Sequence, residues 1–250
     1  MIIFGIYNIK GGVGKTAAAV NLSYLSSLEG KRTLLWDLDP QGSSTFYYQK
    51  EQGNESSIKK IISGKVELND IITKTDYRNL YIIPSDFSYP HMDTVLDQVK
   101  KPKRRIRDAL KELKGEYDVV FLDCPPGISL LAENIFNACD YILVPTVPTP
   151  LSLRTYEQII SFFRQDELEK SSVIPFFSMV EIRKSIHQNM IKELSGVIPN
   201  LCTTFIPFLA EIEKMGIYRK PLADFSPNSK ASACFTALWK EIKIKSSMKK

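Results

Sequence analysis

Two hydrophobic rhythms alternate along the chain. Short runs dense in Ile, Val, Leu and aromatic residues occupy 2–8 (IIFGIYN), 32–37 (RTLLWD), 79–85 (NLYIIPS), 117–123 (YDVVFLD), 140–146 (DYILVPT), 172–179 (SVIPFFSM) and 202–208 (CTTFIPF). Several are apolar at consecutive positions, as strands are when both faces of a sheet are covered. Between them, apolar spacings of three and four predict helices over 16–28, 103–115, 151–168, 184–195 and 229–243, the first closed by Gly30. This alternation predicts an α/β fold: a doubly wound, mainly parallel sheet with helices on both faces. No repeat, linker or low-complexity segment divides 1–250, so a single domain is expected. The stretch 46–78 is the least regular, with only weak helical pieces.

Composition narrows the class. With 250 residues, 44% hydrophobic and 24% charged, the chain can bury a sizeable core and reads as globular. A net charge of +5 leans toward an anionic partner without naming one. Cys124, Cys139, Cys202 and Cys234 are widely separated with no CxxC pair, which argues for reduced thiols in a cytoplasm over a metal site or disulfide framework. Cys124 reads as a small buried side chain, and Trp36 and Trp239 as core. His91 and His187 are too isolated to form a nucleophilic site and read as packing or surface residues. No apolar run reaches membrane-spanning length, and the opening MIIFGIYNI has no basic region before it, so it reads as a strand rather than a signal peptide.

The candidate chemistry follows the first strand. In NIKGGVGKTAA (8–18), Gly14, Lys15 and Thr16 match the end of a phosphate-binding loop, but Ile9 stands where the ordinary pattern has its first glycine. Gly11, Gly12 and Gly14 let backbone N–H groups approach phosphate oxygens, and the helix that follows points its positive end at the same anion. Lys15 would reach the β- and γ-phosphates and the Thr16 hydroxyl would ligate Mg²⁺. Two further motifs also end strands: DLDPQG, with Asp37 and Asp39, and FLDCPPG, with Asp123, which would hold magnesium through water. In an open parallel sheet, ligands bind beyond the carboxyl ends of the strands, so all three fall on one edge. A rival reading takes Gly12 to Ala17 as G-x-G-x-x-A with Asp37 as a ribose-binding acid. It leaves Lys15, Thr16, Asp39 and Asp123 without roles.

KGGVGKT, DLDPQG and YDVVFLDCPPG together resemble the deviant Walker-A ATPases of the ParA/MinD group, most of all ParA-type partition ATPases. DYILVPTVPTPLSLRTYEQ, FIPFLAEIEKMGIYRKPL and ADFSPNSKASACFTALWKEI resemble that family's later segments, so nearly the whole chain is covered. The resemblance implies ATP and Mg²⁺ as cofactors and a homodimer that sandwiches two nucleotides. Lys10 would then reach the partner's phosphates, much as an arginine finger does. It further implies that Lys10, Lys15 and Asp39 form the catalytic set, with Asp39 positioning the attacking water in a slow hydrolysis. The phosphate loop would be Lys10, Gly11, Gly12, Val13, Gly14, Lys15, Thr16 and Ala17. Thr16, Asp37 and Asp123 would make up the metal group, Asp37 also supporting the switch. Ala17 replaces a second Thr common in relatives and touches an α-phosphate contact. Adenine would lie against Pro207 and Phe208, near Ser178 and Met179.

The ParA branch binds DNA without sequence preference, as a nucleoid-associated dimer whose hydrolysis a ParB-like partner stimulates. KKPKRRIR places six basic residues in eight over 100–107, and Arg183, Lys184 and Arg219 are the C-terminal candidates for a DNA surface. Phe208 stands where relatives often carry an Arg, which removes one such contact. The MinD branch instead anchors a C-terminal amphipathic helix in membrane. Here Phe235, Leu238 and Ile242 read more simply as a stripe packed on the sheet, so membrane anchoring is not expected. Because the glycine loop begins at residue 10, sequence-specific operator binding by this chain is not expected either. The same phosphate loop serves small-molecule ligases and synthetases, which are the alternative enzyme class.

Overall fold

The computed structural model describes residues 1–48, 61, 67–85, 92–99, 102–165 and 172–247. A seven-stranded sheet is built from β1 (Ile2–Ile6), β2 (Thr33–Asp37), β3 (Thr73–Lys74), β4 (Leu80–Ile83), β5 (Val119–Asp123), β6 (Tyr141–Thr146) and β7 (Ser172–Phe177). Their order is β3-β4-β2-β5-β1-β6-β7, and every neighbouring pair is parallel except β3 with β4. The described helices are α1 (Lys15–Leu28), α2 (Ser43–Tyr48), α3 (Met92–Asp97), α4 (Arg105–Lys111), α5 (Leu130–Ala138), α6 (Pro150–Gln165), α7 (Ser185–Leu194), α8 (Ala210–Tyr218), α9 (Leu222–Phe225) and α10 (Lys230–Lys245). The doubly wound α/β expectation holds.

The period-two geometry of strands explains why these runs are apolar throughout. Ile3 and Tyr7 of the first strand region, with Leu34, Trp36, Val120, Leu122, Ile142 and Val144, join one core with α4, α5 and α6. The alternate residues Phe4, Ile6, Leu35, Val119, Phe121, Leu143 and Phe176 join the other with α1 and α10. Trp36 and Trp239 are both buried, as expected. So are Cys124 and, by packing, His187, whose Nδ1 accepts the Glu181 N–H at 3.0 Å. His91 lies outside the described residues, as do Lys100 and Lys101 of the basic run and residues 49–60 and 62–66 of the irregular stretch.

One strand expectation fails. The segment 202–208 follows the edge of β7 but does not join the ladder. Cys202 and Ile206 donate to the carbonyls of Pro175 and Phe177, so four residues of this segment advance against two of the strand. The N–H groups between go elsewhere: those of Thr203 and Thr204 are taken by the Glu241 carboxylate of α10 at 2.7 and 2.9 Å. A single bridge, Val180 with Pro207, is all the regular pairing it makes among the described residues. The seventh strand is instead β3, a two-residue exposed edge too short to carry a periodic signal.

Candidate nucleotide site

The phosphate-type loop joins β1 to α1 and is held from several sides. Asn8 is buried; its side chain donates to the Pro145 carbonyl and accepts the Lys10 N–H. Tyr7 donates to the Gly127 carbonyl at 2.8 Å, and Gly127 N–H donates to Ile9. Ser178 Oγ donates to the Val13 carbonyl at 2.6 Å. Ile9 packs against the core, so an apolar anchor takes the place of the missing glycine. Gly12 and Gly14 adopt φ of +70° and +89°, a left-handed backbone that suits glycine, and α1 begins immediately after.

Behind the loop the strand ends gather charge. Asp37 and Asp123 are register partners on β2 and β5, both fully buried. Burial pushes both carboxyls above the usual carboxylate range, and their mutual proximity adds to the shift of Asp37. For Asp123, the hydroxyls of Ser44 and Thr16 and the Lys15 ammonium oppose the rise, while Asp39 adds to it. Ser44 Oγ donates to Asp123 Oδ2 at 2.7 Å, whereas Asp123 Oδ1 is buried without a hydrogen-bond partner. An orphaned carboxylate oxygen beside a threonine hydroxyl is what a hydrated magnesium ion would fit. Asp37, grouped with the metal in the sequence reading, is engaged through both carboxylate oxygens. Its Oδ2 accepts both N–H and hydroxyl of Thr45, and its Oδ1 accepts the Asp39 N–H. That pattern assigns Asp37 to holding the loop between β2 and α2.

Lys15 is buried, and its Nζ donates to the Lys10 carbonyl at 3.1 Å. Burial lowers its pKa, an effect opposed by Asp123, Cys124 and Asp39. A cleft of about 420 Å³ runs from this loop along α1 to the segment before α8. Gly11, Gly12, Gly14, Lys15, Thr16, Ala17 and Asp39 line it, with Ser178 beside the loop. Met179, Pro207 and Phe208 line it too, together with Tyr47, Leu209, Ile212 and Glu213, which sequence reasoning had not singled out. Val13 contributes no lining side chain, being buried with its carbonyl engaged. Lys10 is half-buried beside the cleft.

The basic candidates separate. Lys184 pairs with Glu181. The Arg219 guanidinium lies over the Phe46 ring, 4.1 Å from its centroid, at an exposed position. Arg183 is exposed with no ion pair among the described residues. In the basic run Lys103 pairs with Glu133 at 2.8 Å, and Arg104 is exposed.

The geometry agrees with the comparisons. A family model described as an AAA domain matches residues 1–175. The chain belongs to this AAA-domain family. Its sequence relatives include the chromosome-partitioning ATPase Soj of Treponema pallidum, 25% identical over 94% of both chains, in keeping with the ParA-type resemblance of the motifs. The sporulation initiation inhibitor protein Soj of Bacillus subtilis is 29% identical over 246 residues, covering 96% of this chain and 97% of Soj. The fold of this AAA-domain protein is shared with an ATP complex of McdA from Cyanothece, at a TM-score of 0.84 and 20% identity over 100% of this chain and 98% of that one. It is shared equally with cobyrinic acid a,c-diamide synthase from Mycobacterium smegmatis bound to an ATP analogue and magnesium. That match has a TM-score of 0.82 and 21% identity, over 96% of this chain and 93% of the synthase.

Proposed function

We propose that this chain is an ATP-driven dimerising switch that binds DNA without sequence preference and so segregates or positions a cargo. The observation that carries the reading is the cleft that joins the glycine loop, Asp39 and Pro207–Phe208, together with the unpartnered oxygen of Asp123 buried at the end of β5. ATP fits this cleft with its phosphates on Gly11 to Thr16 and its base toward Pro207 and Phe208. Thr16 and Asp123 would hold Mg²⁺, whose charge offsets that of the phosphates when it is bound.

The chain's own residues supply the rest. Lys15, already drawn toward the loop, exchanges the Lys10 carbonyl for phosphate oxygens. Lys10 crosses to the second subunit's nucleotide, which makes ATP binding and dimer formation one event. Asp39 orients a water whose oxygen bonds to the γ-phosphorus as the β–γ bridge breaks, leaving ADP and phosphate. Hydrolysis dissolves the dimer and its DNA contacts, and a ParB-like partner accelerates that step. Single-domain organisation over 1–250 is part of the same proposal. The described residues contain no helix long and apolar enough to cross a membrane. In α10, Phe235, Leu238, Trp239 and Ile242 are buried in the core, which leaves Ile244 as its large exposed apolar side chain.

Size-exclusion chromatography with light scattering tests the reading. Asp39→Ala with ATP should elute as a dimer that shifts plasmid DNA, and adding Lys10→Ala should abolish both. A protein that stays monomeric with ATP bound removes the dimer switch and favours the small-substrate enzyme class whose fold it shares.

A further inference from the structure

The loop carrying Asp39 is closed by a ring of hydrogen bonds that reaches outside the loop itself. Within it, Asp39 N–H donates to Asp37 Oδ1 at 3.2 Å, and the Thr45 hydroxyl donates to Asp37 Oδ2 at 2.8 Å. The ring is completed by Ser85, two residues beyond β4. Its N–H donates to Thr45 Oγ1 at 2.8 Å and its hydroxyl to the Asp39 carbonyl at 2.5 Å. Gly42, at φ +63°, lets the loop come close enough that an added Cβ would stand 3.6 Å from Ser85 Cβ.

We propose that Ser85 is a positioning residue for hydrolysis, bracing the loop so that Asp39 faces the phosphate end of the cleft. The inference rests on the reading of Asp39 as the residue that orients water. The hydroxyl of Ser85 meets the backbone of Asp39 itself, and the N–H of Ser85 meets the residue that anchors Asp37. Asp39's carbonyl is also taken by the Gly42 N–H at 2.9 Å, so its backbone is held from two sides and only its side-chain torsions remain free. In this state its Oδ1 accepts the Gln41 N–H at 3.0 Å, and the residue lines the cleft. Because β4 pairs directly with β2, with Ile83 against Trp36, Ser85 ties Asp39 to two strands at once. Groups held on rigid strands stay within the narrow tolerance that water activation requires.

Steady-state ATP hydrolysis and equilibrium ATP affinity are measured for the wild type, Ser85→Ala, Ser85→Thr, Asp39→Ala and the Ser85→Ala/Asp39→Ala double variant. Ser85→Ala should lower kcat about tenfold with ATP Kd changed by less than about twofold, a loss confined to the reacting state. Ser85→Thr should restore kcat, and Ser85→Ala should cause no further loss once Asp39 is gone. Unchanged kcat, an equal loss of affinity, no rescue by Thr, or an additive double variant each overturns the proposal. Should Ser85→Ala not fold, Thr45→Val decides by the same kcat and Kd criteria. If Asp39→Ala hydrolyses ATP like the wild type, the reading of Asp39 falls and this proposal with it. If Asp39→Ala is inactive while Ser85→Ala is not, this proposal alone falls.

Discussion

Asp37 and Asp123 stand opposite each other at the ends of neighbouring parallel strands, yet of the two it is Asp123 that has a buried oxygen left without a partner. Asp37 spends its carboxylate on Thr45 and Asp39, holding the loop after β2. A matched pair in the sequence is thus divided into a loop anchor and a candidate metal carboxylate by what each side chain touches.

This division predicts opposite effects on stability and ligand response. Asp123→Asn removes a buried charge that is costly without a cation, so the nucleotide-free protein should melt no lower than the wild type. The added stability from ATP with Mg²⁺, about 2.7 kcal/mol at one hundred times Kd, should shrink or vanish in the variant. Thermal melts with and without ATP and Mg²⁺ check both halves. A variant stabilised by ATP and Mg²⁺ as well as the wild type would remove Asp123 from the metal site.

Glu241 makes a pH-dependent clasp. Burial raises its pKa, but the N–H groups of Thr203 and Thr204 and their hydroxyls outweigh this and hold it below the usual value. A depressed folded-state pKa means stability that is present above the unfolded value, near 4.3, and lost as pH falls through the folded value. Glu241→Gln should therefore cost about 1 kcal/mol near neutral pH, a modest figure because the side chain keeps partial contact with solvent. The cost should disappear in acid. Urea titrations of both proteins at neutral and acid pH measure it, and a cost independent of pH would refute the clasp.

Two glycines should respond to alanine in different ways. A Cβ at Gly5 would stand 2.8 Å from Cys139 Sγ and 2.9 Å from Ile142 Cδ1, inside the core between β1 and α5. Gly5→Ala should cost about 1–3 kcal/mol by overpacking. A Cβ at Gly11 meets nothing within 4 Å, so Gly11→Ala should leave stability nearly unchanged while weakening ATP binding, because its methyl intrudes on the loop's approach to phosphate. Denaturant midpoints and nucleotide titrations separate the two effects.

The basic residues should also differ. Arg183 is exposed and unpaired among the described residues, while Lys184 is paired with Glu181 and Arg219 is stacked on Phe46. Arg183→Ala should weaken DNA binding by the ATP-bound dimer and flatten the salt dependence by about one unit of log–log slope. Arg219→Ala should chiefly loosen the contact between α2 and the end of α8. Filter binding across a salt series decides: an unchanged slope in Arg183→Ala would exclude it as a phosphate contact.

What the sequence determined by itself is whatever lies close together along the chain. The glycine loop, its lysines and the aspartates at strand ends were legible because each motif is contiguous and its backbone needs are local. Six strands were legible because a sheet covered on both faces makes every position apolar. Only the tertiary structure decided the rest. The run 202–208 is as apolar as a strand, but the N–H groups of Thr203 and Thr204 within it belong to Glu241, far along the chain in α10. Nothing local announces that Arg219, though exposed, stacks on Phe46, and Ser85 reads as a loop serine until its hydroxyl is found on the Asp39 carbonyl. Hydrogen bonds and ring contacts are formed by neighbours in space. Local sequence says which groups are available, and the fold says which of them meet.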